Sequence, residues 1–200
     1  MDQVRISRPA AGFTIIELVV VILLLGILAA TALPRFIDTT DEAHTAAVDG
    51  LLGGLRTGVA LFEAQWLAEG EPTDPLPEFN NLYPTSGGYP SGADSATIDA
   101  NSECVQFFNG ILQGGRPQVV SAADTVALPD GNTVASDATT TGTPTGESDL
   151  IEEAAEAGYS YIAFLQAAGT CDFLYLRDAG DLATPPTIRY AASSGAVTLQ

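Results

Sequence analysis

The sequence predicts an α+β chain, with one long N-terminal helix whose C-terminal half packs on a small antiparallel β-sheet. Three observations carry this. Residues 13–33 form an almost unbroken apolar run, FTIIELVVVILLLGILAATAL. Beyond it, Val48, Leu52, Leu55, Val59, Phe62 and Trp66 recur at alternating steps of four and three, one stripe of an amphipathic helix. Near the end, strand-like runs at 159–166, 171–177, 187–191 and 197–199 are separated by turn residues.

The first element, residues 1–12, is short and polar, with Arg5 and Arg8 followed by the small residues Ala10, Ala11 and Gly12. The apolar run after it is long enough to span a bilayer as a helix. The two arginines hold its start on the cytoplasmic side, which leaves the acidic remainder outside. A cleavable secretory signal, with Ala30 and Ala32 as its processing site, and a plain membrane anchor are the two simpler readings. Glu17 argues against both. A carboxylate among apolar side chains costs about 3 kcal/mol near the centre of an inserted helix and less toward its end. Such a group needs a partner, and the nearest available positive charge is the α-amino group made by cutting the chain before Phe13.

The stretch Gly12-Phe13-Thr14-Ile15-Ile16-Glu17-Leu18 resembles the type IV prepilin signature: a glycine at the cut, an aromatic at the new N-terminus and a glutamate as the fifth mature residue. The resemblance implies cleavage between Gly12 and Phe13 by a prepilin peptidase, and N-methylation of Phe13. It also implies that the Glu17 carboxylate meets the Phe13 amine of a neighbouring subunit during assembly.

The helical pattern continues past Ala32. Pro34 removes one backbone donor and is expected to kink the helix rather than end it, so a single helix over 13–68 is predicted, its amphipathic half being 34–68. Gly50, Gly54 and Gly58 make a small-residue ridge along it, suited to a close backbone approach. Residues 69–103 are rich in proline, glycine, serine and aspartate and read as an ordered loop. A short helix over 103–113 follows, with Val105, Phe108 and Leu112 inward and Gly114-Gly115 ending it. Val119 and Val120 begin a strand, 121–148 reads as a low-complexity surface loop, and 150–157 as a short helix. The runs within 159–199 then form an antiparallel meander that packs on the helix stripe through Ile162, Phe164, Phe173, Tyr175 and Ile188. In segments, 1–12 is a leader to be removed, 13–33 the membrane and filament-core half of the helix, and 34–200 the head.

Only two cysteines occur, Cys104 and Cys171. Behind a membrane-targeting start, such a pair reads as one disulfide in an oxidising compartment, the alternative being two buried thiols. Ala-Thr-Ala-Leu-Pro-Arg-Phe at 30–36, the Tyr83-Pro84 and Tyr89-Pro90 pairs, the cysteine before a short helix, and the closing Ile188-Arg189-Tyr190 and Ser194-Gly195-Ala196-Val197 together resemble the mannose-sensitive haemagglutinin subclass of type IVa pilins. In that subclass Cys104 and Cys171 match a pair that staples the C-terminal loop to the sheet.

Charge and absent motifs narrow the function. There are 25 acidic against 7 basic residues, a formal net of −18, and every basic residue is arginine. Such a surface repels nucleic acid and anionic headgroups and is soluble where salt screens its self-repulsion. No phosphate-binding loop, dinucleotide fingerprint or zinc spacing occurs, and the single histidine, His44, reads as an ordinary helix residue. Asp172, Asp178 and Asp181 near a turn could bind calcium, but acids on an already acidic surface are the preferred reading, so no cofactor is expected.

The pilin resemblance implies a non-enzymatic structural subunit. On that resemblance it is expected to be held in the inner membrane as a precursor, its partners being its own copies, the prepilin peptidase and the pilus assembly machinery. It polymerises into an extracellular fibre for adhesion or motility. The alternatives are a pseudopilin of a type II secretion system, whose start would look the same, and a secreted binding module released at Ala32.

Overall fold

The computed structural model describes residues 13–122, 125–127, 133–135, 154, 155, 157–176 and 185–200; of 33–41, 125–127 and 133–135 only the backbone is described. Helix α1 runs Ile15–Ala68 and continues through Pro34. The chain divides into two units, Met1–Thr45 and Ala46–Gln200.

In the first unit the window Ile15–Ala32 has a mean hydropathy of 2.8 and none of it is buried. Apolar side chains facing outward all round a helix are stable only in lipid or against other apolar surfaces. The Thr31 hydroxyl donates to the Leu28 carbonyl at 3.0 Å, so this polar group is satisfied within its own helix.

In the second unit the rest of α1 buries Val48, Leu52, Leu55, Val59 and Phe62, joined by Leu51, with Trp66 half-buried at the end of the stripe. They meet helix α2, Asn101–Ile111, and one face of a five-stranded sheet. In chain order the strands are β1 (Val119–Ser121), β2 (Thr125–Ala127), β3 (Thr133–Ala135), β4 (Tyr161–Ala167), β5 (Thr170–Tyr175), β6 (Thr187–Ala191) and β7 (Ala196–Leu199). The large sheet has the order β1-β4-β5-β6-β7, while β2 and β3 form a separate pair among the described residues.

Several expectations are corrected. The sheet is not wholly antiparallel: β4 to β7 form the meander, but β1 lies parallel to β4, as the long crossover between them permits. The stretch 121–148, read as loop, contains the antiparallel β2–β3 pair. The loop at 69–103 ends earlier, since α2 starts at Asn101, and it carries a 3-10 turn at Pro77–Phe79. Of the helix expected over 150–157 only residues 154, 155 and 157 are described.

The largest correction concerns which side of β4 faces the helices. Tyr161, Ala163 and Leu165 join α1 and α2 in the main core, together with Cys171, Phe173, Tyr175, Ile188 and Tyr190. Ile162 and Phe164, expected inward, lie on the opposite face in a second cluster with Val120, Leu174 and Leu176. The run Tyr-Ile-Ala-Phe-Leu is apolar at every position, so alternation carries no sign of which face is which. In α2, Phe108 is buried as expected, but Val105 and Leu112 are only half-buried. The deep positions are Cys104, Phe107, Phe108 and Ile111, spaced i, i+3, i+4, i+7. Phe107 stacks on Tyr190 with ring centroids 3.9 Å apart.

The proline-rich loop is tied in by buried Leu76, Leu82 and Ile98. The Tyr190 hydroxyl donates to the Pro90 carbonyl at 2.5 Å and the Trp66 indole N–H to the Pro72 carbonyl at 2.9 Å. Gly88 is required where the Tyr-Pro turn crosses Trp66, because its φ is 78° and a Cβ there would collide with the indole ring.

Candidate functional site

The N-terminal site is built on the first turn of α1. Glu17 Oε2 accepts from the Thr14 backbone N–H at 2.8 Å and from the Thr14 hydroxyl at 2.7 Å, and the Glu17 N–H points back to Thr14 Oγ1 at 3.3 Å. This is a reciprocal capping box, Thr-x-x-Glu, which satisfies donors at the helix start and places the carboxylate by the positive end of the helix dipole. Thr14 was not singled out from the sequence, although its spacing to Glu17 is the signature of such a cap. Phe13 is 92% exposed and Gly12 lies outside the described residues. Within one chain the carboxylate is therefore held by Thr14 and not by Phe13.

In the second unit, Cys104 of α2 and Cys171 of β5 form a disulfide, with Cα atoms 5.5 Å apart and both residues fully buried. It staples a helix to the sheet, a correction to the staple on a C-terminal loop that the resemblance implied. The reason is positional: Cys104 is the fourth residue of α2 rather than a residue preceding it.

The N-terminus of α2 holds two polar groups that sequence reasoning missed. Buried Asn101 accepts the Leu165 N–H through its Oδ1 at 2.6 Å, beside the bulge in β4. Glu103 Oε2 accepts the N–H groups of Asp99 at 2.7 Å and Ala100 at 3.1 Å. Ala100, the N-cap, offers no side-chain acceptor, so Glu103 alone supplies this half of a capping box.

Burial raises the Glu103 pKa above the ordinary 4.5, against the lowering effect of those two N–H bonds. A raised folded-state pKa means that the folded state holds the proton longer than the unfolded one. The Glu103 contribution is then full below 4.5 and declines as pH rises through the raised value. The Glu103→Gln protein should lack this slope, so wild type loses stability relative to the variant as pH climbs from 4.5. Thermal melts of both proteins across that range test it, and parallel curves would reject it.

Of the three acids considered for calcium, Asp172 sits within β5, not at a turn. Its two oxygens are taken by the Arg189 guanidinium at 2.7 and 2.6 Å across the β5–β6 register. Asp178 and Asp181 lie outside the described residues. Among the described residues, no group of three or more His, Cys, Asp or Glu side chains is placed to hold a metal ion. His44 lies on α1, half-exposed.

Comparison with known proteins bears on the same N-terminal segment. Residues 7–33 match the prokaryotic N-terminal methylation motif. The Type IV narrow pilus major component PilA5 of Thermus thermophilus is 38% identical over 114 residues, 56% of this chain and 95% of that relative. The chain belongs to the type IV pilin family. This pilin is also similar to Fimbrial protein Q of Moraxella bovis, 41% identical over 78 residues that cover 38% of the chain and 50% of the relative. The Type IV major alpha-pilin of the same species is 48% identical over 56 residues, 27% of the chain and 35% of the relative. No solved structure matches the pilin.

Proposed function

We propose that this pilin is the structural subunit of a type IV pilus, a polymer of its own copies rather than an enzyme. The precursor is held in the inner membrane by 13–33, cut between Gly12 and Phe13 by a prepilin peptidase, and methylated at Phe13. The pilus assembly machinery then polymerises it into an extracellular fibre for adhesion or motility. The observation that carries this reading is an outward-facing apolar helix half whose one carboxylate, Glu17, lies one turn from the proposed new N-terminus. Cutting before Phe13 creates an α-amino group that is largely protonated at neutral pH, its ordinary pKa being about 8. The amine of one copy then supplies the positive partner for Glu17 of the next, in surroundings where an ion pair is screened little. The same apolar surface suits lipid first and neighbouring copies afterwards. Relatives named as pilus and fimbrial subunits support a pilus over a secretion pseudopilin.

Intact-mass measurement of the mature protein tests the processing step. The expected product begins at Phe13 with one added methyl group. A product beginning at Leu33 would mean release as a secreted module, and an uncut chain would mean a plain anchor.

A further inference from the structure

In the second unit an open cleft of about 390 Å³ lies between α1, the turn after α2, and the sheet. Gly50, Leu51 and Gly54 line it on one side, Leu112 and Arg116 on another, and Tyr161 at its inner wall. Two features of its lining are unexplained by the isolated subunit. Arg116 bonds only its own chain, at the Leu112 carbonyl 3.4 Å away, and has no carboxylate partner among the described residues. Arg189, by contrast, grips Asp172, and Arg56 donates to the Val197 carbonyl. Finally, a Cβ at Gly50, or at Gly53 beside it, would meet nothing within 4 Å, whereas Gly54 and Gly58 pack on Leu112 and Ile111. Glycine disfavours a helix, and at Gly50 no contact within the subunit requires it.

We propose that this cleft is a contact between copies of the pilin, in which a segment of a neighbouring copy packs closely over Gly50 and presents a carboxylate to Arg116. The inference rests on the fibre reading above. Charge complementarity selects the occupant. Copies this acidic, with 25 acidic against 7 basic residues in the full chain and Arg5 and Arg8 lost with 1–12, repel one another, so an assembled contact needs its scarce cations to face acids. Arg116 is a cation of this kind, exposed in the lining of the cleft. The missing Cβ at Gly50 lets the incoming backbone approach closely.

The test compares full-length wild type with Gly50→Leu and Arg116→Glu, measuring fibres sheared from producing cells and melting of each subunit in detergent. The leucine enters open space and is the better helix former, so its subunit should melt at or above the wild-type temperature. Arg116 is exposed, and its variant should melt as wild type does. Fibre yield is expected to fall about tenfold or more in both, and Arg116→Lys should recover part of it. Wild-type fibre yield from Gly50→Leu or Arg116→Glu overturns the contact while leaving the fibre reading intact. Absence of fibres from wild type overturns both.

Discussion

Joint replacement of Cys104 and Cys171 by alanine is expected to lower the stability of the Ala46–Gln200 unit by about 4 kcal/mol or somewhat more. The bond joins residues 67 apart in sequence, and closing a loop of that length removes about 4 kcal/mol of conformational freedom from the unfolded chain in the chain-entropy model. Both cysteines are fully buried in the main core, so the alanines also lose the packing of two sulfur atoms. Other contacts still hold α2: Phe107 on Tyr190 and Phe173, Phe108 on Phe173, and Asn101 on the Leu165 N–H. The unit should therefore remain foldable but melt at a lower denaturant concentration. Urea unfolding in detergent, followed by the fluorescence of Trp66, the one tryptophan in the chain, reads this out. A loss below about 1 kcal/mol would place the stabilisation in the α2–sheet packing instead of the disulfide.

Glu17→Ala should abolish fibres while leaving the precursor in the membrane. Removing the carboxylate makes insertion easier by up to about 3 kcal/mol, and loss of the Thr14 cap costs about 1 kcal/mol at the helix start. Membrane retention is thus unharmed, and any defect belongs to assembly. Glu17→Gln separates the two roles of the side chain. It keeps an oxygen for the Thr14 donors but no charge for the Phe13 amine, so it too should fail to assemble. Sheared-fibre and membrane fractions probed side by side measure both outcomes. Normal fibres from the glutamine variant would show that the cap, and not the ion pair, is what Glu17 supplies.

The N-terminal site was legible because its chemistry is local. Glycine, aromatic and glutamate lie within six residues, on an apolar run that has meaning by length alone. The capping box was equally local, and its Thr-x-x-Glu spacing was there to be read. The stripe on α1 was legible because one periodicity over five turns leaves a single buried face. Position in α2 was less so: the buried set follows Cys104, with Phe107 and Ile111 in phase with it, a phase visible only once the disulfide orients that cysteine toward the sheet.

What the sequence by itself determined is the α+β class, the membrane-length helix and the order of the four meander strands. Tertiary structure alone decided the faces and the long-range partners. Cys171 must point at α2, and the β4–β5 register then places Leu165, Ala163 and Tyr161 on that side and Ile162 and Phe164 on the other. The same register, continued into β6, sets Asp172 opposite Arg189. It also puts Tyr161 in the lining of a cleft that includes Arg116. The physical reason is that helix periodicity and turn chemistry act over a few residues. A strand apolar on both faces takes its orientation from pairing and packing with segments far away in the chain.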